Sequence, residues 1–354
     1  MPITTTCIGA FPKPDYIRSS NWTESNAHGS GSDNARDFEY TMNHPASVAD
    51  EMFDRATREA IRDQVACGID VPSDGEQRRE NYIHYHCRHL HGIDFDKLTR
   101  KVHRNGAAVA NLPTITGKIE PDSNHFLDRD YAFAQSCTDR PVKITVPGPV
   151  TIIDTTANTH YSNDRELAFD LAGALNFEIR ALAVAGCKHI QVDEPLFARK
   201  VDMALEIGVE CLERCFDGLP DDVSRIMHMC CGYPGHLDDE DYAKADRGSY
   251  ALLAAALDDS CIDCISLEDA HRHNDLRLLE RFPQSTIILG SVAVASSRLE
   301  SSHEIAERLA DALEHIDHDR LIAAPDCGLT MLDRDLAMNK LRNLCQAAQS
   351  VGRV

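Results

Sequence analysis

RIMHMC, residues 225–230, is a short apolar run that carries a histidine and a cysteine near its end. In an extended strand side chains alternate, so His228 and Cys230 share one face while Met229 points to the other. Runs of the same kind recur at TTTCIGAF (4–11), GIDVPSDG (68–75), VKITVPG (142–148), HIQVDEP (189–195), DCISLE (263–268), TIILGS (286–291) and LIAAPD (321–326), which makes eight. Amphipathic stretches separate them. Residues 47–66 place Val48, Met52, Ala56, Ala60 and Ile61 at helical spacing, with Ser47 and Asp50 resembling a capping box. Ser301 and Glu304 open another helix, whose apolar face is Ile305, Leu309, Leu313 and Ile316, and Gly186 and Gly218 stand where helices should stop.

Strands separated by helices need crossover connections and therefore pair in parallel. Eight such units predict an α/β chain folded as a single (β/α)8 TIM barrel over residues 1–354. Two segments exceed what the barrel needs. Residues 12–46, polar, rich in Gly and Ser and holding the only tryptophan, Trp22, read as a loop or lid beside the first strand; residues 80–137 read as an excursion between strands two and three.

Composition narrows the function classes. Lys+Arg 36 against Asp+Glu 57 leaves a net charge of -21, which repels nucleic acid and anionic membrane. No apolar run approaches the roughly 18 residues that span a bilayer, and MPITTTCIGAF lacks the basic region and apolar stretch of a signal peptide. A cytosolic protein is expected. The 13 cysteines are odd in number and scattered, so they are expected to be thiols rather than a disulfide framework.

Against that background the ends of the strands stand out. His228 and Cys230, Glu268 in CISLEDAH and Cys327 in APDCGL are the residue types that bind zinc (Zn2+), and in a barrel they meet on one rim. Singly, each is more often a packed or hydrogen-bonded core residue; their convergence carries the metal reading. Cys231 points away from Cys230, and the Cys261–Cys264 and Cys211–Cys215 pairs read as structural thiols. Two thiolates and a carboxylate overcompensate the charge of Zn2+, which suits holding a substrate thiol as a nucleophilic thiolate better than activating water. Glu76 in SDGEQRR and Asp193 in IQVDEP form an acidic pair at strand ends; it suits a cation, or else an N-cap or solvated charge.

Taken in order, IGAFPKP, SDGEQRR, PGPVTI, IQVDEP, HMC, ISLED and APDCGL resemble the catalytic domain of the cobalamin-independent methionine synthase family, from about Thr4 to about Ala348. The likeness is to the short members, without the family's extra N-terminal barrel. The resemblance implies zinc held by His228, Cys230, Glu268 and Cys327, homocysteine sulfur as the acceptor, and Glu76 and Asp193 around the substrate's ammonium group. It also implies that Ile8, Gly9 and Ala10 meet the amino-acid carboxylate, although the family's Ser is Ala10 here.

The departures fall where the family binds its folate polyglutamate donor. A Trp is replaced by Thr155, an acidic residue falls on Arg199, an Arg-Cys pair aligns with Ala108 and Val109, and the catalytic His falls on Ala295. The expected activity is therefore zinc-dependent alkyl transfer to a small-molecule thiol, from a donor other than folate polyglutamate such as a small alkyl donor or a methylated corrinoid protein. One alternative resembles epoxyalkane:coenzyme M transferase, with Arg298, Arg199 or Lys13 receiving a sulfonate. Others are a non-catalytic zinc-binding protein and, more remotely, a barrel of the uroporphyrinogen decarboxylase type.

Overall fold

The computed structural model describes residues 2–17, 46–103, 108–232, 234–239 and 241–351. Most of the segment 12–46, including Trp22, lies outside the described residues. The strands, in chain order, are β1 (Thr4–Thr5), β2 (Leu90–His103), β3 (Ala108–Pro121), β4 (Lys143–Pro147), β5 (Ala157–Asn158), β6 (His189–Asp193), β7 (Ser224–Met229), β8 (Cys264–Leu267), β9 (Thr286–Val292) and β10 (Leu321–Pro325). Seven of them form one sheet in the order β1-β10-β9-β8-β7-β6-β4. Every pair in it is parallel, as helical crossovers require.

Both faces of this sheet are buried, which explains why its strands read as continuous apolar runs. Ile190, Val192, Met227, Met229, Ile265, Leu267, Ile287 and Leu289 belong to the large core shared with the surrounding helices. Residues of the opposite parity do something different. Ile226, Cys264, Ile288 and Ala324 pack with Ile8 in a small separate cluster, while Gln191, Asp193, His228 and Ser266 add buried polar groups. The polar members lie toward the strands' C-terminal ends. Register sets Asp193 beside His228 and His228 beside Ser266.

Helix ends follow local chemistry. Ser301 and Glu304 form the expected capping box on the helix Ser302–Ala312, and Ile305 and Leu309 are buried beneath it. Gly186, at φ 101°, and Gly218, at φ 71°, end their helices in the left-handed region that glycine enters without steric cost. The helix expected over 47–66 runs Ala46–Cys67, so Ser47 lies inside it rather than ahead of it.

One expectation needs correction, and another gains detail. The run 68–75 forms no regular strand: Val71 makes a single bridge to Thr6 and Ser73 a single bridge to Lys143. Pro72 lacks a donor between them, and the backbone turns to positive φ at Gly75 (67°) and Glu76 (54°) immediately after. The excursion 80–137 is mainly an antiparallel ribbon of β2 and β3, to which β5 adds in parallel as a second, three-stranded sheet. Among the described residues no helix is long and apolar enough to cross a membrane.

Candidate functional site

A cavity of about 480 Å³ opens where the C-terminal ends of β6, β7 and β10 meet the segment 8–10. Ile8, Gly9, Ala10, Glu76, Asp193, His228, Cys230 and Cys327 all line it. Eight of the nine site residues read from sequence are thus brought together.

His228, Cys230 and Cys327 form a corner that could hold a metal ion. One ligand atom of each lies within 4.8 Å of the others. The His228 ring is held from behind, Nδ1 lying 2.9 Å from Ser266 Oγ, whereas its buried Nε2 has no hydrogen-bond partner. Buried polar atoms are rarely left so. A ring that donates Nδ1–H to Ser266 offers its Nε2 lone pair, the arrangement of a metal-ligating histidine with its orienting partner. The two sulfurs are a matched pair. A hydrogen bond from the Cys327 thiol, with His228 nearby, pulls Cys230 well below the ordinary thiol range, and Cys327 is pushed up because it gives that bond to Cys230. One imidazole nitrogen and two sulfurs make a borderline-soft donor set that fits zinc.

Glu268 stands beside this trio rather than in it. Its Oε2 accepts the Cys231 N–H at 2.8 Å, and burial, reinforced by Cys230, raises its carboxyl well above the usual range. Cys231 itself faces Tyr250, 3.2 Å from the phenol oxygen, and burial lifts its thiol to about 12. Asp326 joins the two ligand-bearing loops. It accepts the backbone N–H groups of Asp269, Ala270 and His271 at 2.9, 2.9 and 2.7 Å, and the His271 ring at 2.7 Å. The turn after Glu268 is thereby fastened to the residue preceding Cys327.

The acidic pair lies in the same cavity. Glu76 Oε1 accepts from Thr145 Oγ1 at 2.7 Å and faces Arg79 Nη1 at 3.5 Å. Asp193 Oδ1 accepts from Gln191 Nε2 at 2.6 Å. Burial raises both carboxyls, Asp193 to about 7. A cationic ligand group would restore the charge that burial disfavours. Gly9 passes so close that a Cβ there would sit 2.6 Å from Glu76 Oε1. The segment is pinned through Gly9 O to Ser73 Oγ (2.5 Å) and through Ala10 O to Leu329 N (2.8 Å).

Of the residues that depart from the family pattern, Thr155 and Arg199 lie elsewhere on the wall. Thr155 Oγ1 donates back into its own helix, to Thr151 O at 2.8 Å. Arg199 Nη2 donates to Ala243 O at 2.9 Å. Ala295 is buried outside the cavity lining, its N–H on His271 Nε2 at 3.1 Å. His236, from the loop after β7, lines the cavity instead and was not anticipated.

Comparison with known proteins follows this geometry. A family model described as the catalytic domain of cobalamin-independent synthase matches residues 2–231 and 245–350. The chain belongs to the cobalamin-independent methionine synthase family. A methionine synthase of Sulfolobus acidocaldarius is 31% identical over 345 residues, covering 97% of this chain and 90% of the relative. One from Thermococcus kodakarensis is 30% identical, with 99% and 94% covered. The solved B12-independent methionine synthase of Shewanella sp. W3-18-1, in complex with selenomethionine, superposes with a TM-score of 0.85 at 29% identity, over 100% of this chain and 98% of that one.

Within this family member the sequence reading missed the supporting residues. Ser266 lies two positions before Glu268 and Gln191 two before Asp193, on the same strand faces. A polar residue at ligand parity inside an apolar strand was the available signal.

Proposed function

We propose that this protein transfers a methyl group to the sulfur of homocysteine or a similar amino thiol, held as thiolate at zinc, from a donor other than folate polyglutamate. The observation that carries this reading is the unpartnered His228 Nε2 beside Cys230 and Cys327, in one cavity with Asp193 and Glu76. Zinc, when bound, keeps a substrate thiol deprotonated at neutral pH. His228, Cys230 and Cys327 would hold it, with Glu268 as the fourth ligand if its carboxylate leaves the Cys231 N–H. Asp193 and Glu76 orient the substrate by its ammonium group, and the 8–10 segment receives its carboxylate. Methyl transfer and methionine formation accord with the names of the relatives. The single bridges Thr6–Val71 and Ser73–Lys143 link the segment 71–73 to β1 and β4, the sheet's two edges, and support reading the whole chain as one closed barrel domain.

The donor differs because the residues expected to grip folate are absent: the Thr155 hydroxyl is committed to its own helix and Ala295 is outside the cavity. A methylated corrinoid or a small alkyl donor fits the altered wall. A sulfonate thiol fits less well. Lys13 Nζ already donates to Glu76 O at 2.9 Å and Gln77 O at 2.8 Å, and Arg298 pairs with Glu304 at 2.9 Å away from the cavity lining. Metal analysis combined with homocysteine-dependent methyl transfer from methylcobalamin tests the reading. Full activity in zinc-free protein would sink it, and tight zinc retention with no turnover on any thiol would favour a binding protein.

A further inference from the structure

Lys143 is fully buried on the inner face of the sheet, and its role is not explained by the metal or by packing. Its Nζ lies 2.6 Å from Gln191 Oε1. The other end of that amide, Nε2, donates to Ile8 O at 2.8 Å and to Asp193 Oδ1 at 2.6 Å. All three neighbours demand the same orientation of the amide. A lysine ammonium only donates, while a backbone carbonyl and a carboxylate only accept, so Oε1 must face Lys143 and the NH2 must face the other two. Burial lowers Lys143 to about 8, which leaves it an ammonium at neutral pH.

We infer that Lys143 and Gln191 are positioning residues for the amino-acid end of the substrate: Lys143 locks the Gln191 amide, which sets Asp193 and the Ile8 carbonyl at one fixed separation. This inference rests on the function proposed above, because it takes Asp193 and the 8–10 segment as the places that read an α-amino acid. The physical logic is preorganisation. A buried carboxylate tied at one oxygen cannot swing away from an incoming ammonium, and the bond to Ile8 O couples its position to the segment that meets the carboxylate. Without Lys143, Oε1 would be buried with no donor and the amide would be free to turn.

The variants Gln191→Leu and Lys143→Met test the relay in zinc-loaded protein. Calorimetric binding of homocysteine is compared with that of 4-mercaptobutanoate, which keeps the thiol and carboxylate but lacks the ammonium. Unaltered protein is expected to prefer homocysteine. Gln191→Leu should weaken homocysteine about tenfold and Lys143→Met several-fold, with a clearly smaller loss for 4-mercaptobutanoate, which still meets the 8–10 segment through its carboxylate, and with zinc content unchanged. Lys143→Met removes a buried charge at similar volume and guards against a folding defect in the other variant. Equal losses for both thiols, an unchanged ratio, or loss of zinc would overturn the relay. If unaltered protein binds neither thiol, the proposed function fails and the relay falls with it.

Discussion

His228, Cys230 and Cys327 hang from the ends of β7 and β10, whereas Thr155, Arg199 and His236 reach the same cavity from a short helix and two loops. The first group is braced from behind. Ser266 orients His228 and Asp326 fastens the Glu268 turn to the Cys327 loop, so the ligand positions are set by sheet register and buried hydrogen bonds. The second group is engaged with nearby backbone: Thr155 with its own helix, Arg199 with Ala243 O, His236 Nδ1 with Leu237 O at 3.0 Å. Strand ends fixed by register suit a site that must hold three donor atoms in one arrangement, while loops and helix ends accept substitutions that alter what else the cavity admits.

If that contrast is right, substitutions should hurt in proportion to how directly they touch the sheet-borne set. Cys230→Ser and Cys327→Ser replace a thiolate ligand by a poor one, and each should abolish both zinc retention and thiol methylation, measured by metal analysis and product formation. Next comes Asp193→Asn, which removes the buried carboxylate proposed to face the substrate ammonium. It should cut kcat/KM for homocysteine on the order of 10²-fold with zinc retained, and loss of zinc would place Asp193 in the metal site instead. Ser266→Ala leaves the His228 ring in place but unoriented. Zinc affinity, read by competition with a chelator, should fall about 10- to 100-fold, and an unchanged affinity would break the claim that the ligand is braced from behind.

The same division governs what sequence could reveal. Seven of the eight expected strands were legible because apolar runs of strand length, separated by helical spacing, have few other readings. The second expected run was not, since its two bridges flank Pro72 and precede positive-φ residues, leaving apolar character without a ladder. The long ribbon of β2 and β3 was missed because a solvent-facing two-stranded ribbon has no sustained apolar face: Val102 and Val109 are exposed, whereas Leu112 and Ile115 are buried. Ligand types at strand ends were readable one by one. That Glu268 binds a backbone N–H beside the trio was not, because a hydrogen bond between adjacent loops leaves no mark in spacing. Lys143 illustrates the same limit: a lysine is ordinarily solvated, and nothing in the run VKITVPG marks this one as fully buried.

Thr155 offers the smallest and most discriminating effect. Its hydroxyl donates to Thr151 O at 2.8 Å and lies 3.3 Å from Ile152 O, so the cavity receives chiefly its methyl surface. Thr151 O belongs to a helical turn and Thr155 is the last residue of Pro149–Thr155, so removing the hydroxyl costs one auxiliary bond, about 1 kcal/mol of stability. Thr155→Val should therefore keep the cavity's shape and leave kcat and KM for both thiol and methyl donor within about twofold, with a lowered Tm as the principal change. Steady-state kinetics against the donor decide it. A large rise in KM for the donor alone would mean that the hydroxyl turns from its helix to the ligand, and that this part of the wall reads the donor by hydrogen bonding. An unchanged KM would mean that the wall selects by shape, leaving chemical recognition to the sheet edge.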